Sequence, residues 1–132
     1  MKRYVAIVLA MAAFEAVAFV GTGNDRIDEA REYRRAINKD SAVDYQQAAY
    51  FQGIVAGLSA VFLEPAYPYA ICYPDGANLG QLADVASTYL IENPSERAES
   101  ADTLIWRSHH KAFGFQSNPS CWRHDEWAKN NS

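Results

Sequence analysis

The chain has 132 residues, enough for one ordinary domain, and its 49% of hydrophobic residues with 13% aromatic residues is typical of a chain that folds around a core. Its formal net charge of −4 argues against nucleic acid as the main partner, because phosphate binding needs clustered Lys and Arg side chains. A basic protein partner is compatible with this charge.

The first eighteen residues have the features of a secretory signal peptide. The start is positively charged, Val5 to Phe14 is apolar, and Ala16 to Ala18 forms a small-x-small cleavage site. The apolar run is shorter than the roughly 20 residues that span a bilayer. We therefore predict a signal peptide at residues 1–18 and a mature exported domain at residues 19–132. A retained anchor or a core helix is the alternative.

Export changes how the two cysteines are interpreted. In an oxidising compartment, Cys72 and Cys121 most simply form one disulfide bond. Two free buried thiols, or a bridge between two chains, are the alternatives.

Apolar periodicity and capping signals predict four helices. Their predicted ranges are Asn24 to Lys39, Ser41 to Leu63, Asn78 to Asn93 and Ser100 to Ala112. The second begins at Ser41 with an imperfect capping box, in which Asp44 stands three residues on, and the third begins at Asn78 with Gln81 at the capping-box position. No alternating stretch bounded by hairpin turns is found. The predicted fold class is all-α, a small single-domain bundle of about four to five helices with one disulfide.

The second predicted helix is apolar on nearly every side. From Ala48 to Leu63 only Gln52 and Ser59 are clearly polar, which predicts a central, buried helix. Gly53 and Gly57 share one face of it. Because each glycine costs a helix roughly 1 kcal/mol relative to alanine, we expect another backbone to approach closely there.

The third and fourth predicted helices are joined by a short turn at Asn93 and Pro94, so they should run antiparallel. The start of one would then lie beside the end of the other. Cys72 precedes the first of them and Cys121 follows the second. A disulfide closing this loop of about 50 residues would stabilise the fold by roughly 4 kcal/mol in the chain-entropy model.

A loop rich in proline and tyrosine follows the second helix. Several prolines between Glu64 and Asn78 exclude a continuous helix. Tyrosine is a favoured anchor at protein interfaces, and a proline-rich loop has little entropy left to lose. Rings that simply cover the end of the helical core are the alternative. With a second loop at residues 114–120, the residues predicted to contact a partner are Tyr67, Pro68, Tyr69, Tyr73, Asp75, Gln116 and Asn118.

Catalytic signals are weak. The chain has no G-x-S-x-G elbow, phosphate loop or C-x-x-C motif, although a Ser-His-Asp arrangement is recognised by geometry and stays open. A metal site from His109, His124 and Asp125 would require the tail to fold back, and ordinary exposed side chains are the simpler interpretation. We therefore predict no enzymatic activity, no metal and no cofactor.

Three segments resemble a known family. They are "YFQGIVAGLSA" (50 to 60), "CYPDGANLGQLADVASTYLIENPSER" (72 to 97) and a helix of the "SADTLIWRSHHKAF" kind, followed by a late cysteine. Together they resemble the Rap/Tai type of amidase immunity proteins of bacterial type VI secretion, over roughly Tyr50 to Cys121. The residues in register in the middle block are Cys72, Pro74, Gln81, Tyr89, Leu90, Asn93 and Pro94.

The resemblance implies a small, all-helical periplasmic protein that binds an incoming peptidoglycan amidase and blocks it. The implied target is a papain-like cysteine amidase. A homodimer stays open, and neither nucleic acid nor a membrane is expected as a partner after signal cleavage. An acid-stress periplasmic chaperone, which can also be small, helical and disulfide-bonded, is the alternative function.

Overall fold

Four α-helices make up the described part of the chain. The computed structural model describes residues 20–64 and 70–114. The helices are α1 (Gly23–Ile37), α2 (Tyr45–Phe62), α3 (Leu79–Glu92) and α4 (Ala101–Phe113), with a 3-10 helix at Pro94–Glu96. These two ranges contain no strand, only an isolated bridge between Thr22 and Ser100. The predicted all-α class is confirmed.

The starts of α1 and α4 are joined to each other. Thr22 and Asp25 form a capping box at the start of α1, in which the Asp25 carboxylate accepts the Thr22 backbone N–H at 2.7 Å. The Gly23 N–H donates to the Glu99 carbonyl at 3.0 Å, and the Ala101 N–H donates to the Gly21 carbonyl at 2.9 Å. Backbone groups that helix ends leave unpaired are thus used to connect two helices.

The start of α2 differs from the prediction. Asp44 is its N-cap, accepting the N–H groups of Gln46 and Gln47 at 3.0 and 3.1 Å, and the expected start at Ser41 is wrong. The Asp44 N–H donates to the Glu32 carboxylate of α1 at 2.8 Å. This contact with α1 fixes Asp44 where it can cap the helix.

Both ends of α3 agree with the prediction. The Asn78 side chain and the Gln81 backbone are 3.1 Å apart, as are the Gln81 side chain and the Asn78 backbone, which completes the predicted capping box. The helix ends before Pro94. There the Arg97 guanidinium donates to the carbonyls of Leu90 and Ile91 at 2.6 and 2.7 Å.

Each of the four helices contacts the other three. The Tyr33 hydroxyl of α1 donates to the Asp84 carboxylate of α3 at 2.9 Å. Burial, assisted by this hydrogen bond, raises the pKa of Tyr33 to about 12. The largest apolar side chains that are almost fully buried come from α2, α3 and α4. They are Phe51, Val55, Phe62, Leu90, Leu104 and Ile105.

The prediction that the second helix is buried on nearly every side is wrong for the described part of the chain. Phe51, Val55 and Phe62 bury one face of α2, but the opposite face is exposed. A Cβ placed on Gly53 or Gly57 would have no described atom within 4 Å, so the expected close approach is not made by any described residue. The exposed face is apolar mainly through alanine and glycine. These residues have little apolar surface, so burying this face would stabilise the fold only slightly.

Several predictions lie outside the described residues. These include the signal peptide at residues 1–18 and Cys121. No cysteine in the described ranges is a free thiol, but the pairing of Cys72 with Cys121 stays a prediction. None of the helices between residues 20–64 and 70–114 combines the length and apolarity needed to cross a bilayer.

The contact between the starts of α1 and α4 predicts a strong effect at Gly23. A Cβ there would lie 2.6 Å from Leu104 Cδ1 and 3.0 Å from Arg97 Cα, so the backbone would have to move. Gly23→Ala should lower the free energy of unfolding by about 1–3 kcal/mol, measured by chemical denaturation. Asn24→Ala, at the exposed neighbouring position, is the control and should change it by less than about 0.5 kcal/mol. Equal effects of the two variants would contradict the close approach.

Candidate docking site at the Tyr73 loop

Residues 70–78, here named the Tyr73 loop, connect the region after α2 to the start of α3. The buried side chain of Ile71 and a 2.8 Å hydrogen bond from its N–H to the Phe62 carbonyl fix the loop to the end of α2. A turn at Asp75 and Gly76 follows, where the positive φ of +85° at Gly76 suits glycine. The loop therefore presents an exposed tip on a fixed base.

A buried histidine holds the middle of the loop. His109 of α4 is fully buried, and its Nδ1 lies 2.7 Å from the Tyr73 hydroxyl. Its Nε2 lies 2.9 Å from the carbonyl oxygen of Leu82 in α3. One imidazole thus connects the loop, α3 and α4.

The two contacts fix the protonation of the ring. A carbonyl oxygen only accepts, so Nε2 of His109 must carry the proton that is donated to Leu82. In the neutral ring Nδ1 is then an acceptor, and the Tyr73 hydroxyl donates to it. Burial lowers the pKa of His109, with a smaller opposing effect of the Leu82 hydrogen bond. Burial also raises the pKa of Tyr73 to about 12, so both groups are neutral at pH 7.

Aromatic rings surround this hydrogen bond. The Tyr73 ring lies edge-to-face against His109 and Phe113, with centroid distances of 5.5 and 5.4 Å. The Phe62 ring lies edge-to-face against His109 at 6.3 Å. The end of α4 therefore lies beside the loop that precedes α3, which confirms the predicted antiparallel arrangement of these helices.

The predicted contact residues have different environments. Tyr73 is half-buried, and its ring and hydroxyl both contact other parts of the chain, as in the alternative where the rings cover the core. Asp75 is exposed at the turn. The other predicted contact residues lie outside the described residues: Tyr67, Pro68, Tyr69, Gln116 and Asn118. Their contact roles stay predictions.

Sequence reasoning missed two exposed leucines at this end of the molecule. Leu63 directly follows α2, and Leu79 is the first residue of α3. Both side chains are exposed although they are large and apolar. For Leu63 the available signal was its position beside the buried stripe of α2. Leu79 is in register with the buried stripe of α3, so the pattern gave no signal of its exposure.

The structure argues against a metal site that uses His109. The expectation that the His109 side chain is exposed is wrong, because this side chain is fully buried. Both of its ring nitrogens are hydrogen-bonded within the chain. His124 and Asp125 lie outside the described residues. Within residues 20–64 and 70–114, no three His, Cys, Asp or Glu side chains are grouped as metal ligands would be. The neighbouring Ser108 hydroxyl donates to the Ile105 carbonyl at 2.7 Å, a helical back-bond.

Removing the Tyr73 hydroxyl should destabilise the chain. Tyr73→Phe keeps the ring but leaves the buried Nδ1 of His109 without its donor, so the free energy of unfolding should fall by about 1–2 kcal/mol. Tyr45→Phe is the matched control, because Tyr45 is exposed, and should be within about 0.5 kcal/mol of the parent chain. Denaturant unfolding of both variants measures the difference. A Tyr73→Phe variant as stable as the control would argue against the hydrogen bond.

His109 should also make stability depend on pH. Its pKa is lower in the folded than in the unfolded chain, so the unfolded chain binds a proton first as the pH falls. The contribution of His109 to the free energy of unfolding should be complete above about pH 6.5 and decrease below it, until the folded chain is protonated too. Glutamine forms hydrogen bonds without titrating, so the free energy of unfolding of His109→Gln should change less with pH than that of the parent chain. Denaturation curves between about pH 7.5 and about pH 5 measure this difference. Identical slopes would contradict a buried neutral His109.

All four helices lie within a region of similarity to a known protein family. A family model described as "Rap1a immunity proteins" matches residues 23–114, a range that begins with α1 and ends one residue after α4. No curated protein and no solved structure matches the chain. Since the match covers more than half of the sequence, the chain belongs to the Rap1a immunity protein family.

Proposed function

We propose that the chain is exported to the periplasm, where it binds and inhibits a peptidoglycan amidase effector delivered by type VI secretion, and so protects producer and kin cells. The observation that carries this proposal is the family match over residues 23–114, which includes all four helices. Proteins of an immunity family bind an effector protein and are generally not enzymes. The amidase target and the periplasmic location rest on the sequence resemblance and on the features of residues 1–18.

The mode of inhibition that we propose is coverage of the enzyme's cleft by the end of the molecule that carries the Tyr73 loop. The base of this loop is held by Ile71 and by the hydrogen bond from Tyr73 to His109. A surface fixed before binding loses little conformational entropy on binding, which favours affinity. Asp75 provides an exposed charge at the tip, and Leu63 and Leu79 provide apolar contact area.

A disulfide between Cys72 and Cys121 would add to this fixed base. Cys72 is not a free thiol, and its neighbour Tyr73 lies against Phe113 at the end of α4. Seven residues lie between position 113 and position 121, and each residue can extend the chain by about 3.3 Å. The second cysteine is thus within reach, and the bond would hold residues 114–120 beside the loop.

The polar groups inside the described core support a binding role over a catalytic one. His109 and Ser108 are buried and hydrogen-bonded within the chain, which leaves neither to act on a substrate. We propose that the protein needs no cofactor. Its inhibitory surface then requires only shape, apolar anchors and a few hydrogen bonds.

The experiment that tests this function is co-purification of the oxidised chain with a panel of type VI amidases, followed by a peptidoglycan hydrolysis assay. The expected result is a stable complex with one amidase and loss of its activity. Absence of binding across the panel, or binding without loss of hydrolysis, would count against the proposal.

The contact surface is tested by variants that spare Tyr73. Tyr67→Ala, Tyr69→Ala and Asp75→Ala combined should weaken inhibition by tenfold or more, about 1.4 kcal/mol, because hot-spot residues at interfaces cost this much or more. Asp102→Ala is the control for Asp75→Ala, since Asp102 is also exposed but lies at the far end of α4. Unchanged inhibition by the triple variant would move the contact surface elsewhere.

The acid-stress chaperone hypothesis makes a different prediction. Such a protein would expose apolar surface at low pH and protect many unrelated proteins from aggregation. Dye binding and aggregation assays on the purified chain at acid pH separate the two functions. Protection of several unrelated clients, without inhibition of any amidase, would favour the chaperone.

A further inference from the structure

His109 is a buried titratable group whose hydrogen-bond partners among the described residues are neutral. Its ring is fully buried, and its two nitrogens are bonded to the Tyr73 hydroxyl and the Leu82 carbonyl, at 2.7 and 2.9 Å. A buried charge without a counter-ion destabilises a protein. The closed site therefore favours the neutral imidazole over the imidazolium.

The side chains that face the imidazole from the neighbouring elements are also uncharged. Phe62 of α2 and Phe113 of α4 lie edge-to-face against it. Ser59 of α2 is buried beside the Tyr73 hydroxyl. Tyr73 can titrate, but burial raises its pKa to about 12, so it stays neutral whenever His109 changes charge.

The charged and titratable groups on the same elements face other partners. On α4, the His110 ring stacks on a tryptophan ring, and the Lys111 ammonium lies over a tyrosine ring. On α3, Asp84 accepts a hydrogen bond from a tyrosine of α1. In the loop, Asp75 is exposed at the turn. Between residues 20–64 and 70–114, no carboxylate is thus placed to stabilise a proton on His109.

Protonation would remove the hydrogen bond that holds the loop. In the neutral ring Nδ1 accepts the proton of the Tyr73 hydroxyl. A proton taken up from solvent binds to Nδ1, because Nε2 already carries one, and the imidazolium has no acceptor left. The Tyr73 hydroxyl must then turn its own proton away. Since the half-buried Tyr73 side chain covers Nδ1, moving this side chain outward lets water reach the new charge.

We propose that acid pH opens the Tyr73 loop and so weakens the binding of the effector protein. Residues 73–77 would move outward while the base of the loop stays in place, because Ile71 is buried and its N–H is bonded to the Phe62 carbonyl. The opening itself depends only on His109 and Tyr73. Its effect on binding rests on the proposed function.

The size of the effect follows from the binding of one proton. An open loop leaves His109 with the ordinary histidine pKa of about 6.5, whereas burial lowers this pKa in the closed loop. The ratio of open to closed loops should therefore rise by up to about tenfold for each pH unit below about pH 6.5, and by up to about thirtyfold between about pH 7.5 and about pH 5. An inhibitor controlled in this way binds its effector at neutral pH and releases it in acid.

Nuclear Overhauser effects between ring protons test the opening without any effector. The Tyr73 and Phe113 ring centroids are 5.4 Å apart, close enough for such effects at neutral pH. These effects should be lost by about pH 5, with the same midpoint as the protonation of His109. Those between Ile71 and Phe62 should persist, because the base of the loop stays closed. Tyr73–Phe113 effects that persist at about pH 5, or a simultaneous loss of both sets, would overturn the proposal.

The pH dependence of binding to the amidase found by co-purification tests the coupling. The dissociation constant of the parent chain should rise by about tenfold between about pH 7.5 and about pH 5. His109→Gln cannot take up the proton and should show a smaller rise. His110→Gln removes the neighbouring histidine instead and should behave as the parent chain. Equal rises for the parent chain and His109→Gln would overturn the coupling. If no amidase binds, the proposed function fails, and the ring contacts still decide whether the loop opens.

Discussion

The fold depends on one buried imidazole that joins three segments of the chain. His109 receives a hydrogen bond from Tyr73 and donates one to the Leu82 carbonyl, so the loop before α3, the first turns of α3 and the last turn of α4 are held together. A buried polar group that loses one of these partners costs about 1–3 kcal/mol. This network therefore favours one position of the loop over others. The Phe62 and Phe113 rings pack edge-to-face against this buried imidazole.

The rest of the bundle is arranged so that this network can form. The backbone bonds between Gly21 to Gly23 and Glu99 to Ala101 fix the start of α4 against α1, and Arg97 binds the last carbonyls of α3. Arg107 donates to the carboxylates of Glu96 and Glu99 and so attaches α4 to the turn before it. With its first turn fixed, α4 brings His109 to Leu82. The Tyr73 loop therefore presents its exposed tip on a rigid base.

Features set by neighbouring residues could be predicted from the sequence, and features set by tertiary contacts could not. The Asn78 cap and the end of α3 at Pro94 need only local chemistry, and both are confirmed. The start of α2 was placed at Ser41, because the contact of Asp44 with Glu32 involves another helix. The burial of His109 was missed for the same reason, since nothing in its own helix indicates that Tyr73 and Leu82 lie on either side. The exposed side of α2 shows the limit of composition, because alanine and glycine count as apolar without guaranteeing burial.

Nuclear magnetic resonance of the His109 imidazole nitrogens, followed as the pH falls from about 7.5 to about 5, tests whether a neutral ring protonated on Nε2 holds the loop that we propose as the docking site. We expect the Nε2–H tautomer at neutral pH and a midpoint of titration below the ordinary histidine value of about 6.5. A ring protonated on Nδ1, or one that titrates at the ordinary value, would contradict it, because the Tyr73 loop would then need another anchor.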